Sequence, residues 1–141
     1  MLVKSMGLLG IFLVLSVSFT SIFALTELQR ATIDDPRLEV FGAPLGNFIN
    51  VDQQIQISAD VTNHQVRSQN FVYLVQIKNE IGVVVFLGWI SGQLTPDQQL
   101  SPSLSWTPNE SGEFVAEIFV WEGLNNHNAL SEYTTLQINV S

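Results

Sequence analysis

The stretch LSPSLSWTPNESGEFVAEIFVWE, residues 100–122, decides the fold. A strand ending at Trp106 runs into Thr-Pro-Asn-Glu-Ser-Gly, where Pro108 presets φ, Asn109 bonds nearby backbone and Gly112 reaches conformations closed to other residues. Beyond that turn Phe114, Ala116, Ile118 and Val120 alternate with Glu113, Val115, Glu117, Phe119 and Trp121. Successive side chains of a strand point to opposite faces, so this spacing predicts a strand over 113–121 with an apolar inner face. Two strands joined by so short a turn pair antiparallel.

Outward from the hairpin the same period recurs. Residues 54–61 place Ile55, Ile57, Ala59 and Val61 on one face and Gln54, Gln56, Ser58 and Asp60 on the other. Residues 71–78 place Phe71, Tyr73, Val75 and Ile77 inward and Val72, Leu74, Gln76 and Lys78 outward. Asn79-Glu80-Ile81-Gly82 is a turn, so residues 83–90 (VVVFLGWI) fold back as a hairpin partner, apolar on both faces. Residues 38–41, 99–106 and 132–140 complete a set of seven expected strands, the last with Thr134, Leu136, Ile138 and Val140 inward. Residues 42–50, 62–69, 92–98 and 122–131 read as turns and loops. Seven short strands with no amphipathic helix among them predict an all-β, two-sheet antiparallel sandwich of the immunoglobulin-like kind.

The chain begins differently. Lys4 precedes an apolar run from Met6 to Ala24, the layout of a secretory signal with Ser21-Ile22-Phe23-Ala24 as the cleavage context. The run is also close to the ~20 residues that cross a bilayer as a helix, so a retained signal anchor competes with a cleaved signal peptide. Either reading puts the rest of the chain outside the cytoplasm, secreted, periplasmic or on the cell surface, and the anchor reading adds a membrane contact. The expected organisation is therefore a signal or anchor at 1–24, a polar tether at 25–36 and one sandwich domain at 37–141.

Composition narrows the function. A formal net charge of −8 repels phosphate backbones, which disfavours nucleic-acid partners. With no cysteine, the chain has no disulfide, thiolate nucleophile or Cys-ligated zinc. Hydrophobic residues at 46% provide enough material for a core without them.

The run Leu94-Thr95-Pro96-Asp97, then Ser105-Trp106-Thr107-Pro108, then Ser111-Gly112-Glu113-Phe114-Val115-Ala116-Glu117-Ile118 carries a resemblance. It resembles the late half of bacterial and archaeal extracellular immunoglobulin-like domains, of the cell-adhesion-related (CARDB-like) or fibronectin-III-like kind. The likeness spans residues 51–140, and the layout is similar to that of single-domain exported proteins of archaea. The resemblance implies adhesion, assembly or scaffolding and carries no catalytic chemistry. The chain departs from antibody-type domains in lacking the cysteine pair, and Phe114 stands where a corner tyrosine often sits.

Outward-facing Val72 and Leu74, with Phe119, Trp121 and Tyr133, converge on one pole of such a sandwich, and Trp89 or Ile90 joins them if the middle hairpin extends that sheet. An exposed cluster of this composition marks a contact surface for a protein partner. The competing reading is that residues 38–48 fold over it as a second layer of core. His64 and His127 lie in loops expected at the same pole, and with Asp60 or Glu122 would suit copper or zinc; the plain reading is two solvated histidines, and no cofactor is expected. Asn109 and Asn139 fit the N-glycosylation pattern, with Asn109 the better placed in an exposed turn. Glu113 and Glu117 share a strand face about 13 Å apart, too far for two carboxyls acting on one bond. No nucleophile elbow or phosphate loop is present, so the sequence points away from an enzyme. Self-assembly through exposed edge strands stands beside partner binding.

Overall fold

The computed structural model describes residues 25–141, and the expected signal or anchor at 1–24 lies outside them. The described chain is all-β and holds no helix. Its ten strands are β1 (Ala31–Val40), β2 (Ala43–Leu45), β3 (Phe48–Ile49), β4 (Ile55–Asn63), β5 (Gln69–Lys78), β6 (Val84–Leu94), β7 (Gln99–Leu100), β8 (Ser103–Trp106), β9 (Gly112–Trp121) and β10 (Thr134–Val140). They form two five-stranded sheets: β2-β1-β4, with β7 and β8 both on the far side of β4, and β3-β10-β9-β5-β6. The strands on either side of Pro108 and Gly112 therefore do not pair as the expected hairpin: β8 bonds to β4 and β9 to β5 and β10, so this turn carries the chain from one sheet to the other.

The inner faces match the alternation. Ile55, Ile57, Ala59 and Val61 of β4 meet Tyr73, Val75 and Ile77 of β5 and Phe114, Ala116, Ile118 and Val120 of β9 in one core, every one of them nearly inaccessible to water. Trp106, closing β8, packs edge-on against Phe114 with ring centroids 5.3 Å apart. The Tyr73 hydroxyl crosses the core and donates to the Ile57 carbonyl at 3.1 Å, joining the sheets by a polar contact. Its burial pushes the hydroxyl's pKa well above the usual value.

Ten strands replace the expected seven for local reasons. Pro102 has no N–H to offer β4, so the strand expected over 99–106 breaks there into β7 and β8. β2 pairs with β1, and β3 lies parallel to β10, the one parallel pair in a sandwich expected to be wholly antiparallel. β1 begins at Ala31, inside the segment expected to be a tether. Ala31 is buried opposite Asn63, and the unfavourable Asp34-Asp35-Pro36 is absorbed by a bulge with Asp35 at φ 47°. Arg37 holds that bulge, reaching Glu39 at 2.6 Å, Asp60 at 3.0 Å and Asp35 at 3.2 Å. β6 runs to Leu94, past the expected loop start at Gly92, staying paired with β5 as far as Gln69 opposite Leu94, and the missing side chain at Gly92 leaves room for the Phe71 ring.

The polar segment 62–69 contains structure rather than open loop alone. Asn63 is fully buried; its side-chain amide donates to the Arg67 carbonyl at 2.8 Å and the Thr95 carbonyl at 3.0 Å, while its oxygen accepts from the Gln65 N–H at 3.1 Å. One side chain thus ties the β4–β5 connection to the end of β6. We expect Asn63→Ala to lower the unfolding free energy by about 2–4 kcal/mol, since it strands buried backbone groups; an unchanged urea midpoint would contradict this assignment.

Candidate aromatic contact face

β5, β6, β9 and β10 each send alternate side chains to the core and to the outer surface of their sheet, so register decides what meets outside. Val72 lies opposite Trp121 and Leu74 opposite Phe119 across β5 and β9. On the other side of β5, Leu74 lies opposite Trp89. Residues directly opposite in an antiparallel pair share a face, so Val72, Leu74, Trp89, Phe119 and Trp121 stand together on the outer surface. Tyr133, just before β10, joins them by stacking on Phe119, with centroids 5.2 Å apart and planes at 24°. Phe119 and Trp121 are themselves 5.7 Å apart.

The cluster has depth. Val72 and Leu74 are only 3% and 6% exposed yet belong to no part of the inter-sheet core, so they form the floor of the face rather than its surface. The expectation that they present themselves outward holds for direction and fails for exposure: the larger aromatic neighbours shield them. Trp89 at 49% and Tyr133 at 56% are the exposed members, Phe119 and Trp121 are half-buried, and Leu87 at 51% extends the face along β6. Ile90 pairs with inward-facing Tyr73 and so lies on the opposite side of β6 from Trp89. Residues 38–48 do not cover the face, because β1 and β2 lie in the other sheet and Phe48 lies at the β3 edge.

Polar contacts bound the face on both sides. Towards the β5–β6 turn, Glu117 accepts from Lys78 at 2.8 Å and from Gln76 at 3.1 Å. The Lys78 ammonium, more than Gln76, holds the Glu117 carboxyl below its usual range, so it stays ionised rather than acting as a proton donor. Towards the loop pole the chain after β9 turns back on itself through a bridge between Trp121 and Ala129 and a bond from the Leu130 N–H to the Val120 carbonyl at 2.9 Å. Glu122 is bound there by Arg30 and Asn126, and the Arg30 guanidinium lowers its pKa. An open cleft beside the face is lined by Asn70, Val72, Gln93, Glu122, Asn125 and Asn126.

The two histidines part company. The loops meet at one pole, where Arg67 and Glu122 line the same cleft. His127 nevertheless packs on Trp121 at 5.2 Å, whereas His64 Nε2 bonds the Thr32 hydroxyl at 3.0 Å. Asp60 is engaged by Ser101 at 2.7 Å and by Arg37, which together lower its pKa. Among the described residues no three His, Asp or Glu side chains are grouped to hold a metal ion. Asn109 is exposed in the turn between β8 and β9, while Asn139 is half-buried within β10 with its N–H bonded to Asn47.

No family model matches the chain. No curated protein matches it in sequence at a significant level. Solved structures do resemble it. The CARDB domain of the PF1109 protein from Pyrococcus furiosus, solved in complex with di-metal ions, superposes with a TM-score of 0.56 at 17% identity, over 83% of this chain and 97% of that one. The fold is a CARDB-like, immunoglobulin-type sandwich. The C-terminal domain of wzt superposes with a TM-score of 0.62 at 14% identity, over 79% of this chain and 74% of that one. A cycloisomaltooligosaccharide glucanotransferase from Paenibacillus sp. gives 0.57 at 18% identity over 82% of this chain, which spans only 14% of that enzyme. Such identities carry the fold and no activity.

The layering of the face makes a stability contrast. Leu74→Ala should cost about 2–4 kcal/mol, the range for a buried leucine, whereas Tyr133→Ser should cost under about 1 kcal/mol. Urea unfolding of the two variants checks it, and equal losses would contradict the floor-and-surface arrangement.

Proposed function

We propose that the protein is an exported, non-catalytic binding module, secreted or held at the cell surface by its N-terminal segment, that grips a protein partner with the aromatic face of its β3-β10-β9-β5-β6 sheet. The observation that carries this is the half-exposed stack of Tyr133, Phe119 and Trp121 beside Trp89, laid over a closed floor and bordered at its loop end by His127. Rigid aromatic rings offer large contact area at little entropy cost and dominate the binding energy of protein interfaces. The rim is polar and ion-paired through Lys78 and Glu117, the arrangement of an interface with an apolar centre. The apolar run at 6–24 supports export, and the net charge of −8 speaks against nucleic acid as the partner. The clustered carboxylates are tied to Arg30, Arg37 and Lys78, which favours binding over catalysis. The di-metal ions of the archaeal CARDB domain find no equivalent donor set among the described residues here.

A second reading rests on one feature. The cleft of Asn70, Gln93, Asn125 and Asn126 opens beside the aromatic face, and uncharged amides next to a flat ring suit a neutral saccharide.

A photo-crosslinking residue in place of Tyr133 in the full chain, expressed in its own cells, should give one discrete protein adduct, while the same residue in place of exposed Ile81 gives none. Trp121→Ser should remove the adduct while the domain stays folded, at a stability cost of about 1–3 kcal/mol for the uncovered Val72. An adduct that survives Trp121→Ser, or its absence at Tyr133, would contradict partner binding through this face. Quenching of tryptophan fluorescence by neutral oligosaccharides in place of an adduct would favour the second reading.

A further inference from the structure

Four strands or strand pairs end the two sheets, and three of these ends are blunted. β3 has two residues, β2 has three and includes Pro44, and the third end is split by Pro102 into a two-residue β7 and a four-residue β8. Short strands and prolines are the devices by which sheets avoid pairing with other chains. These short strands leave five residues of β10 and the charged, proline-bearing start of β1 uncovered, but β6 is the longest open edge. It runs for eleven residues, roughly 36 Å at ~3.3 Å per residue, with alternate N–H and C=O groups pointing away from β5 into solvent. Residues 83–94 contain no charged side chain and no proline. The one irregularity, Val85, which is left unpaired between Phe86 and Val84, sits at the turn end and leaves residues 86–94 in regular register with β5. Val84, Leu87, Trp89 and Ile90 are all more than a third exposed on this open edge.

We infer that β6 is a dimerisation edge, pairing antiparallel with β6 of a second copy of this chain about a two-fold axis at Gly88, so that the two outer sheets become one continuous sheet. A two-fold contact requires the edge to be complementary to itself, and the sequence around Gly88 is. With Gly88 opposite Gly88, Leu87 falls opposite Trp89 on the outer face and Phe86 opposite Ile90 on the inner face, apolar against apolar on both sides. Aromatic–aliphatic pairs of this kind are among the favourable cross-strand contacts. Charge selects the same occupant. Two copies carrying −8 each repel one another, so self-pairing needs an edge free of charge. A basic partner, in contrast, would be drawn by carboxylates flanking the strand, and β6 carries none. Pairing would also set two aromatic faces side by side, giving a bivalent surface from one module. The inference shares Leu87 and Trp89 with the contact face but rests on the open β6 backbone, and a cross-link between two copies at that edge is read separately from any partner adduct at Tyr133.

The absence of cysteine in the chain makes the test direct. Full-length chains carrying Leu87→Cys and Trp89→Cys, with different tags, are co-expressed and oxidised. Directly opposed residues of antiparallel strands have Cα atoms ~4.5–5.5 Å apart, within disulfide range. The mixed Leu87→Cys/Trp89→Cys dimer should exceed, severalfold, both the homodimers and the background from Val66→Cys, which is 94% exposed in the β4–β5 connection and outside β6. Leu87→Lys in the partner chain should abolish the mixed dimer while leaving that chain's urea midpoint unchanged. Cross-linking no greater than at Val66, a homodimer equal to the mixed species, or a disulfide to some other protein would each overturn the proposal.

Discussion

The register of β5 against β9 is the constraint from which both surfaces of the outer sheet follow. Tyr73 opposite Val120 and Val75 opposite Ile118 supply the centre of the core; Leu74 opposite Phe119 and Val72 opposite Trp121, one residue along, supply the contact face. Because the side-chain period is two, a slip of one residue would exchange these sets, driving Phe119 and Trp121 into the core and leaving Ile118 and Val120 in water. Core packing therefore pins the face. The aromatic cluster needs no strain or special backbone of its own, since burial on one side of the strands fixes position on the other.

Polar interactions act where the regular ladders are interrupted, at the β1 bulge and at the loop pole. Arg37 gathers Asp35, Glu39 and Asp60 around the β1 bulge, and its hydrogen bond to Glu39 contributes most to keeping it charged. Arg30 links the chain ahead of β1 to Glu122 beyond β9, and Asn63 links the β4–β5 connection to the end of β6. These ties close the pole at which the aromatic residues, the amide-lined cleft and His127 lie together. They make that pole a defined platform rather than a set of independent loops.

Much of this was legible in the sequence because it depends on period. Inner faces of β4, β5, β9 and β10, the turn through Pro108 and Gly112, and the convergence of Val72, Leu74, Phe119, Trp121 and Tyr133 all come from alternation and turn chemistry, whereas the sheet each flanking strand joins does not: β8 and β9 were expected to pair and lie in opposite sheets. What escaped depends on neighbours brought from afar. Alternation says which way Leu74 points, and it does not say that Trp89 and Phe119 will close over it. Asp34-Asp35-Pro36 looks like tether because its strand is sustained by Arg37 and Ala31, whose partners lie on β4. Asn63, Gln65 and Gln69 look like loop because their composition is polar, and their burial is satisfied by one another, by the Arg67 carbonyl and, for Asn63, by the distant Thr95 carbonyl. The β6 faces were ambiguous for the opposite reason: a strand apolar throughout contains no period to read.

The central claim is that one aromatic face of the sandwich lies uncovered. The chain has three tryptophans, all within the described residues: Trp106 is sealed in the core, while Trp89 and Trp121 lie on the face. Fluorine NMR of the full-length protein labelled with fluorotryptophan, titrated with a soluble paramagnetic agent, separates them directly. Two of the three resonances should broaden, and the Trp106 resonance, assigned by Trp106→Phe, should stay sharp. Protection of all three, or broadening of Trp106 ahead of Trp121, would contradict it.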